Sequence, residues 1–560
     1  MASLVWDYVF CLLPSVLLLL VSLGLRWPRV RCWTRLAVSA AGWRLWVLIC
    51  LILELPLDKN IRPWNEEAGS PGEYILPGSG QASGGPRLIC KPTALAKYLL
   101  RHCGSLAWPR LASWPRGDPH LQTLSSLLWG QHGDTLQFTR ENLLLRDGGI
   151  VALDWAMGTR LGEFGGRKRW EGRKEHSSGG NALGCFTTTP PVLLLIPESW
   201  GGMTPHLKVL CHQAVRQGFN VVVFHTRGTA GCPLTTVRLT EFGDPADLEQ
   251  VVAYVHSRHP SSVMVAASEG SGSGTLLSYL GESGSSSCLK AAAAISPVLQ
   301  GQLWFETAMP PVYRWRALIH RKLQLSRYES SLRGVLDVDR ALSCSSLRDF
   351  EETLSCSSAP RPPKTSLNSG PSSGSDSPRG LAPSVVWALG ERAYPAKDWD
   401  NYWERNEPLR DADEVAVPVL CIRSRDDPLL PPATTLPLPL FQSNPYFLLV
   451  LTDRGGHCGF TLEGPKETEE GRTGNESEEE GCNWSHIAVL EYFRVVADFL
   501  KGEEKDGEYI QAGQRSRTSN MAPSRRRRAN MMRRQRLQPT EERSGDEEDG
   551  NFTWKRSYTR

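Results

Sequence analysis

"VMVAASEGSGSGTLLSYL", residues 263–280, passes from a continuous apolar run through a crowd of Ser and Gly into a helix-forming stretch. A strand that is apolar throughout, rather than alternating, is one buried on both faces of a parallel sheet. Similar runs stand at "IVALDW" (150–155), "PVLLLIP" (191–197), "FNVVVFHTRG" (219–228), "AAAAISP" (291–297), "VPVLCIRS" (417–424) and "YFLLVLT" (446–452). Between some of them lie segments with apolar residues at helical spacing, "DLEQVVAYVHS" (247–257) and "HIAVLEYFRVVADFL" (486–500). Strands alternating with helices predict an α/β fold, a mostly parallel doubly wound sheet flanked by helices.

The 560 residues carry a net charge of +3, which excludes a chain that binds nucleic acid through overall charge. Its 14 Cys are scattered, with no C-x-x-C pair, and H-E-x-x-H is absent, so neither a structural metal nor a cofactor is expected. Polar, Gly-, Pro- or Ser-rich insertions interrupt the core at 165–184, 355–390 and 463–482. Nine Arg fall between Arg515 and Arg536, ahead of an acidic run. The composition predicts a linker over 58–89 and a disordered tail over 502–560.

Catalytic groups in such sheets gather beyond the carboxyl ends of the strands. Three strand ends carry chemistry: the Ser/Gly cluster after residue 267, Asp426 and Asp427 in "SRDDP", and His457 in "DRGGHCGF". Ser, Asp and His follow one another in the chain order of the α/β-hydrolases.

The stretches "WPRGDPHLQT" (114–123), "DGGIVALDW" (147–155), "VVVFHTRGTAG" (221–231), "VPVLCIRSRDDP" (417–428) and "NPYFLLVLTDRGGHCGF" (444–460) resemble the signatures of the α/β-hydrolase subfamily that includes membrane-anchored lipid hydrolases. The resemblance makes residues 90–501, apart from the insertions, a hydrolase domain. It implies a membrane-associated serine hydrolase acting on a lipid ester. Asp427, the acid before Pro428, and His457 take the family's acid and base positions.

The nucleophile position is less direct. Counted back without gaps from Tyr279, it falls on Gly270, which has no reactive side chain. Two extra residues place Ser268 there, in Ala266-Ala267-Ser268-Glu269-Gly270, which satisfies the need for small residues on either side of the bend. Ser271 has the bulky Glu269 two residues before it, and Ser273 lies late in the turn. With Ser268 as nucleophile, the backbone N–H groups of Ser199 and Glu269 are the expected oxyanion donors, and Glu198 and Glu269 bring two acids close to a developing negative charge. The displaced bend and these acids also support a different class of function, a regulatory or scaffold protein that keeps the fold without the chemistry.

Residues 1–57 read as a hydrophobic anchor or signal region. The run Leu4–Leu25 is long enough to span a bilayer and is followed by Arg26, Arg29 and Arg31. An endomembrane (endoplasmic reticulum) location with a cytoplasmic domain is expected, secretion after cleavage being the alternative. The polar loops and the Arg-rich tail are expected surfaces for a protein partner. Asn475, Asn483 and Asn551 head N-x-S/T sequons that argue the other way.

Overall fold

The computed structural model describes residues 28–56, 73–75, 86–106, 111–128, 136–157, 189–199, 202–333, 335–356, 390–463 and 483–518. The run Leu4–Leu25, the insertions apart from their edges, the sequons at Asn475 and Asn551 and the Arg cluster from 525 onward lie outside these residues. The chain divides into two compact units, one of Met1–Asn60 with Pro310–Arg316, the other of Ile61–Met309 with Ala317–Arg560.

The larger unit is built on one ten-stranded sheet. In chain order the strands are β1 (Glu73–Ile75), β2 (Arg87–Ile89), β3 (Gln137–Leu144), β4 (Ile150–Met157), β5 (Val192–Ile196), β6 (Asn220–His225), β7 (Met264–Glu269), β8 (Ala291–Ile295), β9 (Val419–Ser424) and β10 (Phe447–Thr452). Their spatial order is β1-β2-β10-β9-β8-β7-β5-β6-β4-β3. The six strands from β10 to β6 run parallel, and antiparallel pairs close both edges. This is the α/β-hydrolase arrangement expected from the sequence. β7, whose six residues are all buried, lies at its centre.

Each face of the sheet carries its own apolar layer. On one, Leu193, Val223, Ala267 and Ile422 meet the helices Ala94–His102, Pro205–Arg216 and the start of Trp484–Thr518. On the other, Leu194, Val222, Ala266 and Cys421 meet Ala246–Arg258 and Gly272–Ser283. A third cluster, with Trp304, Phe305, Phe350, Trp399 and Trp403, belongs to the segment between β8 and β9. Beside the sheet, Arg227 is buried between two acids, donating to Asp247 at 2.8 and 2.6 Å and to Asp147 at 2.8 Å.

Two boundaries differ from the sequence reading. The stretch 58–89 contains β1 and β2, which pair in the sheet rather than linking domains. These strands have three residues each, too short for a pattern of their own to be seen. The last helix continues to Thr518, past the expected start of the tail at 502. Among the described residues Cys90, Cys103, Cys211, Cys232, Cys288, Cys344, Cys356, Cys421 and Cys458 take part in no disulfide. No helix among the described residues is long and apolar enough to cross a membrane.

Candidate functional site

β7 leaves the sheet at a single sharp bend. Ser268 is still in the ladder, opposite Ile196 on β5 and Ala294 on β8. Gly270 is the residue that turns: its φ is +49°, and its N–H donates to the Ile295 carbonyl at 2.9 Å. The helix Gly272–Ser283 starts two residues later. A Cβ on Gly272 would stand 2.2 Å from the Pro197 carbonyl oxygen, so strand and helix approach as closely as a nucleophile bend requires. The apex of Ser268-Glu269-Gly270-Ser271-Gly272 is therefore Gly270, not Ser268. The Ser268 side chain lies within the core, 1% exposed, and its hydroxyl has no hydrogen-bond partner among the described residues.

His457 faces this apex. Gly455 (φ +156°) and Gly456 (φ +56°) turn the loop after β10. A side chain on Gly455 would strike the Phe460 ring at 2.5 Å. The His457 N–H donates to Thr123 Oγ1 at 3.0 Å, and its Nδ1 donates to the two oxygens of Asp427 at 2.9 and 3.1 Å. Asp427 is held in turn by the N–H groups of Leu429 (2.9 Å) and Leu430 (3.3 Å). Asp426 points away from the imidazole and accepts from Gly456 N–H at 2.9 Å. Burial, with the Asp427 charge added, pushes the Asp426 carboxyl up to about 7.

Burial alone would lower the His457 pKa. The charge and hydrogen bond of Asp427, then the charges of Glu198 and Glu269, outweigh it and leave the pKa raised. The shift favours the imidazolium relative to a free imidazole, as an adjacent carboxylate does in a Ser-His-Asp triad.

The expected oxyanion donors are differently employed. Ser199 N–H donates to the Ser271 hydroxyl at 3.0 Å, and Ser199 Oγ donates to the Ser271 carbonyl at 2.8 Å, a reciprocal clasp between the loop after β5 and the start of the helix. Glu269 precedes the apex and lies within β7, and the residue that follows the apex is Ser271. Two small clefts, each about 30 Å³, share Ser199, Thr226, Thr240 and Arg321 in their walls, and neither is lined by Gly270 or His457.

The Glu269 side chain is engaged behind the bend. Its Oε1 lies 3.0 Å from His206 Nδ1 and 3.5 Å from His486 Nε2, and the two nitrogens are 3.2 Å apart. Burial would raise the Glu269 pKa, but the two imidazoles hold it down at about 2. Burial, then His206, pushes His486 down to about 4, so it is neutral near pH 7 and helps as a hydrogen-bond donor. Two His and a Glu at these separations have the donor set of a metal site. Asn483 decides against it. Its Nδ2 is a donor, fixed by the Cys458 carbonyl at 3.0 Å and the Gly459 carbonyl, while its Oδ1 accepts from Ser485 N–H at 2.8 Å. The same Nδ2 lies against His206 Nε2 and offers it no acceptor, which places the His206 proton on Nδ1, facing Glu269. A metal on Nδ1 would move that proton to Nε2, against a second donor.

Comparison with known proteins follows the fold. No family model matches the chain. Human Protein ABHD15 is 40% identical over 563 residues, 99% of this chain and 99% of the relative. The chain belongs to the ABHD15 family of α/β-hydrolase-fold proteins. Bovine Phospholipase ABHD3 is 26% identical over 388 residues, 68% of this chain and 79% of the relative. Among solved structures, a Pyrococcus furiosus esterase overlays with a TM-score of 0.30 at 11% identity, covering 59% of this chain and 90% of its own.

In this ABHD15-family chain the structure brings together Asp427, His457 and the β7 bend, with Gly270 at the apex and Ser268 inside the strand. His206, His486 and Asn483, which fix Glu269, were not anticipated from sequence. They come from two segments distant from β7, the helix Pro205–Arg216 and residues 483–486, and the one available signal was an acid closing a wholly buried strand.

Proposed function

We propose that this chain is an α/β-hydrolase-fold protein that acts in acyl-lipid metabolism by binding rather than by forming an acyl-enzyme. The observation that carries this reading is Gly270 at the apex of the bend, where the attacking atom would have to be. The Ser199–Ser271 clasp supports it. The lipid connection rests on the similarity to a protein named a phospholipase.

The intact Asp427–His457 pair favours a second reading, a weak serine hydrolase cleaving a lipid ester through Ser268. Labelling of the purified full chain with a fluorophosphonate, followed by peptide mass spectrometry, tests both. No adduct on Ser268, Ser271 or Ser273 is expected. An adduct on Ser268 that disappears in Ser268→Ala would reverse the order of the two readings.

A further inference from the structure

The unit formed by Met1–Asn60 and Pro310–Arg316 differs from the rest of the chain in what it leaves uncovered. Fourteen large apolar side chains are exposed among the described residues, and eight of them belong to this unit. Six are Trp43, Leu45, Leu48, Leu51, Ile52 (71% exposed) and Leu53, in and just after the helix Pro28–Ile52; the other two are Val312 and Trp315 (65%). Leu45, Leu48 and Ile52 share one face of the helix at i, i+3 and i+7. A soluble surface seldom concentrates so much apolar area without a partner.

The charge of the unit indicates what covers it. Pro28–Ile52 carries Arg29, Arg31, Arg35 and Arg44 and no acid, and Pro310–Arg316 carries Arg314 and Arg316 and no acid. Exposed Trp and Leu beside a predominantly arginine complement, with Glu54 the one acid among the described residues of the unit, match the boundary between acyl chains and anionic headgroups. The helix also begins three residues after the apolar run Leu4–Leu25, whose length suits a bilayer.

We propose that the helix Pro28–Ile52 and the segment Pro310–Arg316 form a docking surface for an anionic lipid bilayer. The apolar side chains enter the acyl boundary, and Arg44 and Arg316 pair with headgroup phosphate and carboxylate. The surface is independent of whether the β7 bend does chemistry. It gives the segment between β8 and β9 a lipid contact of its own, separate from an N-terminal anchor.

The test uses the full chain with vesicles of phosphatidylcholine and phosphatidylserine that contain a diazirine-bearing phospholipid. Irradiation and peptide mass spectrometry locate the adducts. They are expected within residues 43–53 and at 312–315, with a yield that falls roughly tenfold or more in pure phosphatidylcholine or in the Arg44→Glu/Arg316→Glu variant. Adducts confined to residues 4–25, yields equal in neutral and anionic vesicles, or no adducts at all would overturn the proposal. If the double variant misfolds, the wild-type map and its lipid dependence still decide.

Discussion

The Nε2 of His457 lies 2.8 Å from the point where a Cβ on Gly270 would stand. A base serving a serine sits within hydrogen-bond reach of its oxygen, with the Cβ farther back. Here the ring has closed onto the backbone and occupies the nucleophile's place. Gly270→Ser is therefore expected to lower stability by about 1–2 kcal/mol from the left-handed backbone alone, with the ring contact added. It is not expected to gain fluorophosphonate reactivity, because Ser199 N–H stays bonded to Ser271. Urea unfolding and labelling of the variant measure both; unchanged stability would contradict Gly270 as the apex.

Ser268→Ala should behave in the opposite way. It removes a buried hydroxyl that has no partner among the described residues, so the change is expected to be neutral or stabilising by up to about 1 kcal/mol. A drop in the unfolding midpoint beyond that scale would show that the Ser268 oxygen makes an interaction the structure does not contain.

Glu269 and His486 make the fold acid-sensitive. Both pKa values are depressed in the folded state, to about 2 and about 4, from 4.5 and 6.5. Below 6.5, and further below 4.5, the unfolded chain binds more protons than the folded one, so stability falls as pH falls. The loss begins near pH 6.5 and continues towards pH 2. Glu269→Gln should flatten the part below pH 4.5, read from denaturant midpoints across pH. A variant with the wild-type slope would exclude Glu269 as its source.

Asp426 acts with the reverse sign. Its folded value of about 7 stands above the ordinary 3.8, so its contribution is complete below pH 3.8 and is lost as pH rises through 7. Asp426→Asn keeps an acceptor for Gly456 N–H without a charge to bury. It is expected to be more stable than wild type at pH 8, with the difference disappearing near pH 4. Equal stabilities at pH 8 would mean that Asp426 ionises without cost.

Arg227 tests the packing beside the sheet. Arg227→Met would leave Asp147 and Asp247 buried with only the more distant Arg238, 3.6 and 3.8 Å away, as a common cation, a loss on the order of 3 kcal/mol. Thermal unfolding of the variant reads this directly, and a loss under about 1 kcal/mol would show that the acids find other partners.

The central strands were legible because burial on both faces leaves a continuous apolar signature. β3, "QFTRENLL", was not, because its edge position leaves much of it in water and its composition polar. The Asp427–His457 contact follows from chain order and the Pro after Asp427. The bend was legible in register but not in chemistry. The gapless count gave Gly270, and only the requirement for a reactive side chain moved the apex to Ser268. Backbone geometry follows the register, since Gly272 against the Pro197 carbonyl fixes where strand and helix can meet. The support of Glu269 could not be read, because it depends on three segments that meet only in the folded chain.

Asn483 heads a sequon, yet in the folded protein it is 4% exposed and its amide nitrogen already donates to two carbonyls and packs against an imidazole. A sugar is attached through that same nitrogen. Glycosylation at this position would replace a donor hydrogen with a bulky substituent, release the loop at 458–459 and let His206 change tautomer, which withdraws the proton from Glu269. Sugar attachment at Asn483 and the native bend are mutually exclusive fates for one nitrogen atom, chosen before the chain has closed over it.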